Sequence, residues 1–192
     1  MNKNSKILIS ILNIALIFTL FSCSFSKEWL GAEVTYTNQE TENLLVRPQN
    51  FSYYTFIKSK KTIDEKTKVL IPENVYKIKG KDFAYVAMFF DEANYGIESW
   101  SFGKVLAGDN IMLVETKYQA KTCACNTSGK FFKDYFLVYG NYFLKIKTYK
   151  KTNICDKQEI YSFLDTYYKN SYNKEFNNIE DLAKLIRDIN NE

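Results

Sequence analysis

The chain has 192 residues, 26 Lys+Arg against 22 Asp+Glu, 46% hydrophobic and 17% aromatic side chains, and no His. That length suits one domain, and the apolar share excludes a disordered chain, which would have too little surface to bury. Without imidazole there is no Ser-His-Asp triad, no Cys-His pair, no His-ligated zinc and no histidine pH switch.

Lys3 and Lys6 give a short positive start, and Ile7 to Phe21 follows as an apolar stretch broken by Ser10, Asn13 and Thr19. A bilayer-spanning helix needs about 20 apolar residues, so residues 1–22 are predicted to be a signal peptide that is removed. An ordinary secretory leader or an uncleaved anchor is the plainer alternative. The stretch closes on Leu20-Phe21-Ser22-Cys23. This resembles the lipobox of bacterial lipoproteins, whose cysteine is diacylated and becomes the first residue after cleavage. Ser22 and Cys23 match that pattern, and Phe21 is bulkier than its usual residue. A looser lipobox in a chain with 24 Lys, 2 Arg and 18 Asn resembles the spirochaetal lipoproteins of the Borrelia type.

The resemblance covers the leader and the composition and is silent on activity. It implies lipidation of Cys23, of the palmitate kind, and attachment to a membrane through the N-terminal lipid. It also implies residence in the cell envelope, on the outer membrane in preference to the inner, with the surface and periplasmic faces both open. Residues 23–28 form a short lipidated tether, and residues 29–192 a single β-rich globular domain. Residues 23–192 carry 24 basic and 22 acidic side chains, a balance with no strong footprint for nucleic acid or anionic lipid. The tightest basic run, Lys58, Lys60 and Lys61, is followed by Asp64, Glu65, Lys66 and Lys68, and reads as a solvated loop.

From about Gln49 to Lys151 the signals are strands. Phe51 to Ile57 is aromatic and β-branched, Val75 to Lys79 alternates, and Gly80-Lys81 turns into a buried strand from Phe83 to Phe90. Ile97 to Val105 comes next, then the turn Gly108-Asp109-Asn110 and a strand from Ile111 to Tyr118. Phe131 to Tyr139 meets Tyr142 to Lys150 across Gly140-Asn141, a two-residue loop of the kind primed turns prefer. In that last strand Tyr142, Leu144 and Ile146 form the buried face, and Phe143, Lys145 and Lys147 the wet one. Sequential hairpins predict an antiparallel meander.

Helical period takes over at the C-terminus. Asp156 with Glu159 makes a capping-box-like start for a helix over about 157–169, and a second helix is predicted over about 178–190. Both are expected to cover the open edge or mouth of the sheet. The fold class is therefore α+β, mainly antiparallel β: a meander sheet or partial barrel covered by two C-terminal helices. The phrase Gly96-Ile97-Glu98-Ser99-Trp100-Ser101-Phe102, then Gly108-Asp109-Asn110-Ile111-Met112-Leu113, resembles the strand–turn–strand of lipocalin-like bacterial lipoproteins. Across residues 96–113 that resemblance implies a small barrel or half-barrel holding an apolar ligand or none. The Gly-x-Trp of lipocalins is reversed here, since Trp29 precedes Gly31.

With Cys23 lipidated, Cys123, Cys125 and Cys155 remain, and the envelope permits disulfides. Extending the hairpin register about Gly140-Asn141 sets Cys155 near Asn126. A Cys125–Cys155 bridge is therefore expected, with Cys123 as the alternative partner if Gly129 adds a bulge. Closing a loop of about 30 residues contributes roughly 3–4 kcal/mol in the chain-entropy model. A metal or redox site at Cys123-Ala-Cys125 is the sharper alternative, though no fourth zinc ligand and no Cys-x-x-Cys is present.

Carboxylates are the remaining route to acid–base chemistry. Asp91-Glu92 and Glu98 flank a turn and Glu115 sits at a strand end, where acids are ordinarily solvated turn residues. Asp156 and Asp181 read as helix caps. No catalytic residue, metal site or cofactor is expected, and the leading expectation is a non-enzymatic lipoprotein that binds a protein partner or supports the envelope. The alternative is a periplasmic lipocalin-like carrier of a small apolar ligand, which asks for an apolar cavity of at least about 300 Å³.

Overall fold

A computed structural model describes residues 28–47, 56–90, 99–119, 131–168 and 175–191. Ten strands form one antiparallel sheet: β1 (Leu30–Tyr36), β2 (Thr41–Arg47), β3 (Ile57–Lys60), β4 (Lys68–Leu70), β5 (Val75–Gly80), β6 (Ala84–Phe90), β7 (Ser99–Ala107), β8 (Ile111–Gln119), β9 (Phe131–Tyr139) and β10 (Tyr142–Ile146). Their spatial order is β10-β9-β8-β7-β6-β5-β1-β2-β3-β4. Two short strands, β11 (Thr148–Tyr149) and β12 (Asn153–Ile154), pair separately, and helices α1 (Lys157–Tyr168) and α2 (Ile179–Asn191) end the chain. The expected α+β fold, an antiparallel sheet with C-terminal helices, is the fold observed.

The sheet is two meanders joined where β5 pairs with β1 rather than with β4. Only Ile71–Asn74 link β4 to β5, yet four strand spacings separate them in the sheet order. In a flat sheet that gap is about 19 Å, beyond the roughly 18 Å a straight link of this length spans. The link also turns, with the Asn74 N–H donating to Ile71 O at 3.2 Å and the Thr37 N–H to Asn74 O at 3.1 Å. The β1–β5 half must therefore curl on itself. Its concave side buries Ala32, Val34, Leu44, Val46, Ile57, Leu70, Val75 and Ile78. No ladder joins β4 to β5 among the described residues, so the curl stays open.

Beyond β5 both faces of the sheet are buried. On one, Ile111, Leu113, Tyr135, Leu137 and Ile146 pack under the stripe Leu182, Leu185, Ile186 and Ile189 of α2 and under Ile160 and Leu164 of α1. On the other, Val86, Met88, Phe90, Met112, Val114, Phe136 and Val138 form a second apolar layer. Phe143 belongs to this layer, its ring 6.2 Å from those of Phe90 and Phe136. The side of β10 predicted to be wet is thus packed at Phe143. Of the two helices, α2 lies on the sheet face over β7 and β8, and α1 lies on β10, the strand at that edge of the sheet.

The β7–β8 turn explains how α2 is registered. Gly108 has φ +83°, and an added Cβ would lie 1.9 Å from Ile111 O, so only glycine fits. Asn190 near the end of α2 then clasps the turn. Its Oδ1 accepts the N–H groups of Asp109 and Asn110 at 2.9 and 2.8 Å, and its Nδ2 donates to Ile111 O and Ile186 O at 3.0 and 2.7 Å.

The last hairpin corrects one sequence expectation. The register about Gly140-Asn141 holds from Tyr142↔Tyr139 to Ile146↔Tyr135 and goes no further. After Ile146 the chain makes its own hairpin, with Lys150 and Lys151 in the left-handed region at φ 46° and 75°. The Cys155 N–H donates to Lys147 O at 2.9 Å, so Cys155 folds back on its own strand instead of continuing alongside β9.

Candidate functional site

Tyr139 and Tyr142 flank the β9–β10 turn, and their positions on the helix side of the sheet bring both to Tyr167 near the end of α1. The ring of Tyr167 stacks on Tyr139 at 5.1 Å and on Tyr142 at 5.4 Å, with Phe163 tilted against it at 4.7 Å. Tyr142 is 62% exposed and Tyr139 38%. Three tyrosines thus form a fixed, solvent-facing platform whose rings already hold each other in place. Rigid aromatic surface with polar tips is the composition enriched at protein interfaces, because it brings large contact area at a small entropy cost. Sequence reading puts Tyr139 and Tyr142 on the hairpin and Tyr167 on the apolar stripe of the helix over about 157–169 but does not bring them together, since nothing local links the end of a helix to a distant turn.

The carboxylates named from sequence do not gather. Asp91, Glu92 and Glu98 lie outside the described residues. Glu115 is not at a strand end but in the middle of β8, 6% exposed, with Lys133 Nζ at 2.8 Å and Lys117 Nζ at 3.9 Å. The bond to Glu115 holds the Lys133 ammonium above its ordinary range despite partial burial. Burial, then the Glu115 charge, raise the Tyr135 phenol. This is an internally compensated ion cluster. Asp156 accepts the Glu159 N–H at 3.4 Å, as the expected cap of α1. At α2 the cap is Asn178, accepting the Asp181 N–H at 2.9 Å, while Asp181 reaches back to the Asn177 N–H at 3.0 Å. Among the described residues no three of His, Cys, Asp and Glu come together as a metal would require.

Two hollows lie on the curled half. One, of about 180 Å³, opens at its mouth between Tyr36, Glu42, Leu44, Lys60, Lys68 and Leu70. The other, of about 360 Å³, is a shallow depression on the convex side, walled by Glu33, Asn43, Leu45, Lys79 and Lys81 among others. Charged side chains line both. Cys23, Cys123 and Cys125 lie outside the described residues, and Cys155 is exposed, with no disulfide partner among the described residues. No helix among the described residues is long and apolar enough to cross a membrane. No protein-family model, curated protein or solved structure matches the chain.

Proposed function

We propose that this chain is a lipid-anchored protein of the cell envelope, tethered through Cys23, whose domain has no catalytic role and binds a protein partner. The observation that carries the reading is the exposed stack of Tyr139, Tyr167 and Tyr142. It stands at the β10 edge of the sheet, opposite the β4 edge, while the tether joins β1 on the curled half. A partner can therefore reach the tyrosines without displacing the anchor. Carriage of an apolar ligand is less well supported, because the hollow at the mouth of the curl, lined by Leu44, Leu70 and Val75 beside Glu42 and Lys60, Lys61 and Lys68, holds about 180 Å³, short of the roughly 300 Å³ such a ligand asks for.

A photo-reactive phenylalanine at position 142, expressed in intact cells, tests the reading. We expect a discrete cross-linked envelope protein whose yield falls about tenfold or more on Tyr167→Ala, as for loss of an aromatic contact at an interface. The same variant should leave the denaturation midpoint near that of the parent. A cross-link pattern indifferent to Tyr167, and shared by the same probe at exposed Glu180, would sink the partner reading.

A further inference from the structure

We infer that the convex face of β2–β4 is a docking surface for an anionic phospholipid bilayer, holding the domain edge-down on the membrane that carries its anchor. The inference rests on the lipid-anchor reading and adds an orientation to it.

Cross-strand register sets one row of side chains on this face. Arg47 of β2 stands opposite Lys58 of β3, and Lys58 opposite Val69 of β4. Like charges directly opposed on a ladder are unfavourable without a counter-charge. Among the described residues, no carboxylate pairs with Arg47, Lys58 or Lys60, whereas Lys61 nearby is matched by Glu42 at 3.0 Å. Trp29 lies between two of these cations, its ring centre 4.6 Å from the Arg47 guanidinium and 4.4 Å from Lys60 Nζ. Lys60 is 7% exposed and its ammonium donates to Ile63 O, so Arg47 and Lys58 are the cations this face presents; Arg47 Nε is buried with no hydrogen-bond partner. The near-neutral total of the domain conceals this local excess of positive charge.

Apolar tips surround the row. Ile63 is 59% exposed, Val69 53% and Ile71 40%, all on or beside β4 at the free edge of the sheet. Cations, an indole and protruding aliphatics match the headgroup layer of an anionic bilayer, where Trp sits at the interface and Lys and Arg meet phosphate. The chain supplies the other half of the argument. Trp29 is six residues beyond Cys23, so an acyl chain there would deliver this face, and not the tyrosine platform, to the membrane. A soluble acidic protein could meet the same cations, but it would not select the exposed Ile63, Val69 and Ile71.

The full-length lipidated protein, reconstituted in vesicles with bromine in the acyl chains, tests the orientation. Tryptophan is placed at Ile63 in one variant and at Tyr142 in another, each in a Trp29→Phe, Trp100→Phe background so that the reporter is the only indole. In phosphatidylglycerol vesicles we expect quenching of the Ile63→Trp reporter and none of the Tyr142→Trp reporter. Adding Arg47→Gln and Lys58→Gln should lower the docked-to-free ratio about tenfold or more, and neutral phosphatidylcholine should do likewise. Equal quenching of both reporters, or quenching of Ile63→Trp indifferent to lipid charge, overturns the inference. Mass measurement of the Cys23 peptide in the same preparation separates the two ideas. An unacylated chain still quenched at Ile63 removes the anchor and keeps the docking face, and an acylated chain unquenched there does the reverse.

Discussion

Asn190 shows how one side chain joins elements eighty residues apart. It accepts two backbone N–H groups from the β7–β8 turn and donates to two carbonyls, so truncation removes four side-chain hydrogen bonds and takes their acceptor from the Asp109 and Asn110 N–H groups. Asn190→Ala should cost about 1–3 kcal/mol, read as a lower denaturant midpoint at unchanged slope. Glu115 contributes to the alkaline behaviour of the fold. Lys133 and Tyr135 are both raised in the folded state from ordinary values of 10.5 and 10.0. Groups raised on folding bind more protons in the native state, so their contribution is complete at neutral pH and is lost as pH climbs past about 10. Glu115→Gln removes the largest cause of the Lys133 shift, so its stability should fall less steeply above that pH than the parent's. An identical alkaline slope in parent and variant would contradict the assignment.

At the scale of elements, strands marked by alternation and bounded by glycine turns were legible. Phe131–Tyr139, the turn at Gly108, and both helices fall where hydrophobic period and caps place them. β1 and β2 were overlooked although Ala32 and Val34, then Leu44 and Val46, alternate inward. Their polar partners mask the pattern, and the turn between them rests on Gln39 at φ 70°, a residue that does not announce one. The end of β10 was illegible for the same reason. Two lysines in the left-handed region turn the chain back, where only glycine or asparagine would have signalled it. A bridge from Cys155 to Cys125 or Cys123 consequently stands as a proposal without hairpin register behind it. It rests on the proposed envelope location, which would permit disulfides, and on the exposure of Cys155. A non-reducing peptide map of the exported protein should show Cys155 disulfide-linked, and free thiols at Cys125 and Cys155 would refute the bridge.

For the whole molecule, the curl of β1–β5 and the helix-covered sheet of β6–β10 divide two surfaces between two edges. The cationic, aliphatic face belongs to the curled half that begins the described chain, and the tyrosine platform to the far edge. Neither was visible in composition. Near-neutral net charge hid the first, and the second needs a helix docked onto a hairpin. The leader reading, with Cys23 at its end, rests on linear sequence alone, and residues 1–27 lie outside the described residues.

Tethering at Cys23 underlies both proposals, and the most direct test is the mass of the mature N-terminal peptide from native membranes. The expected mature chain begins at Cys23 and carries the mass of two or three acyl chains, with Cys23→Ser releasing the protein from the membrane fraction. An N-terminus retaining residues 1–22, or a cleaved chain with an unmodified Cys23, would contradict it.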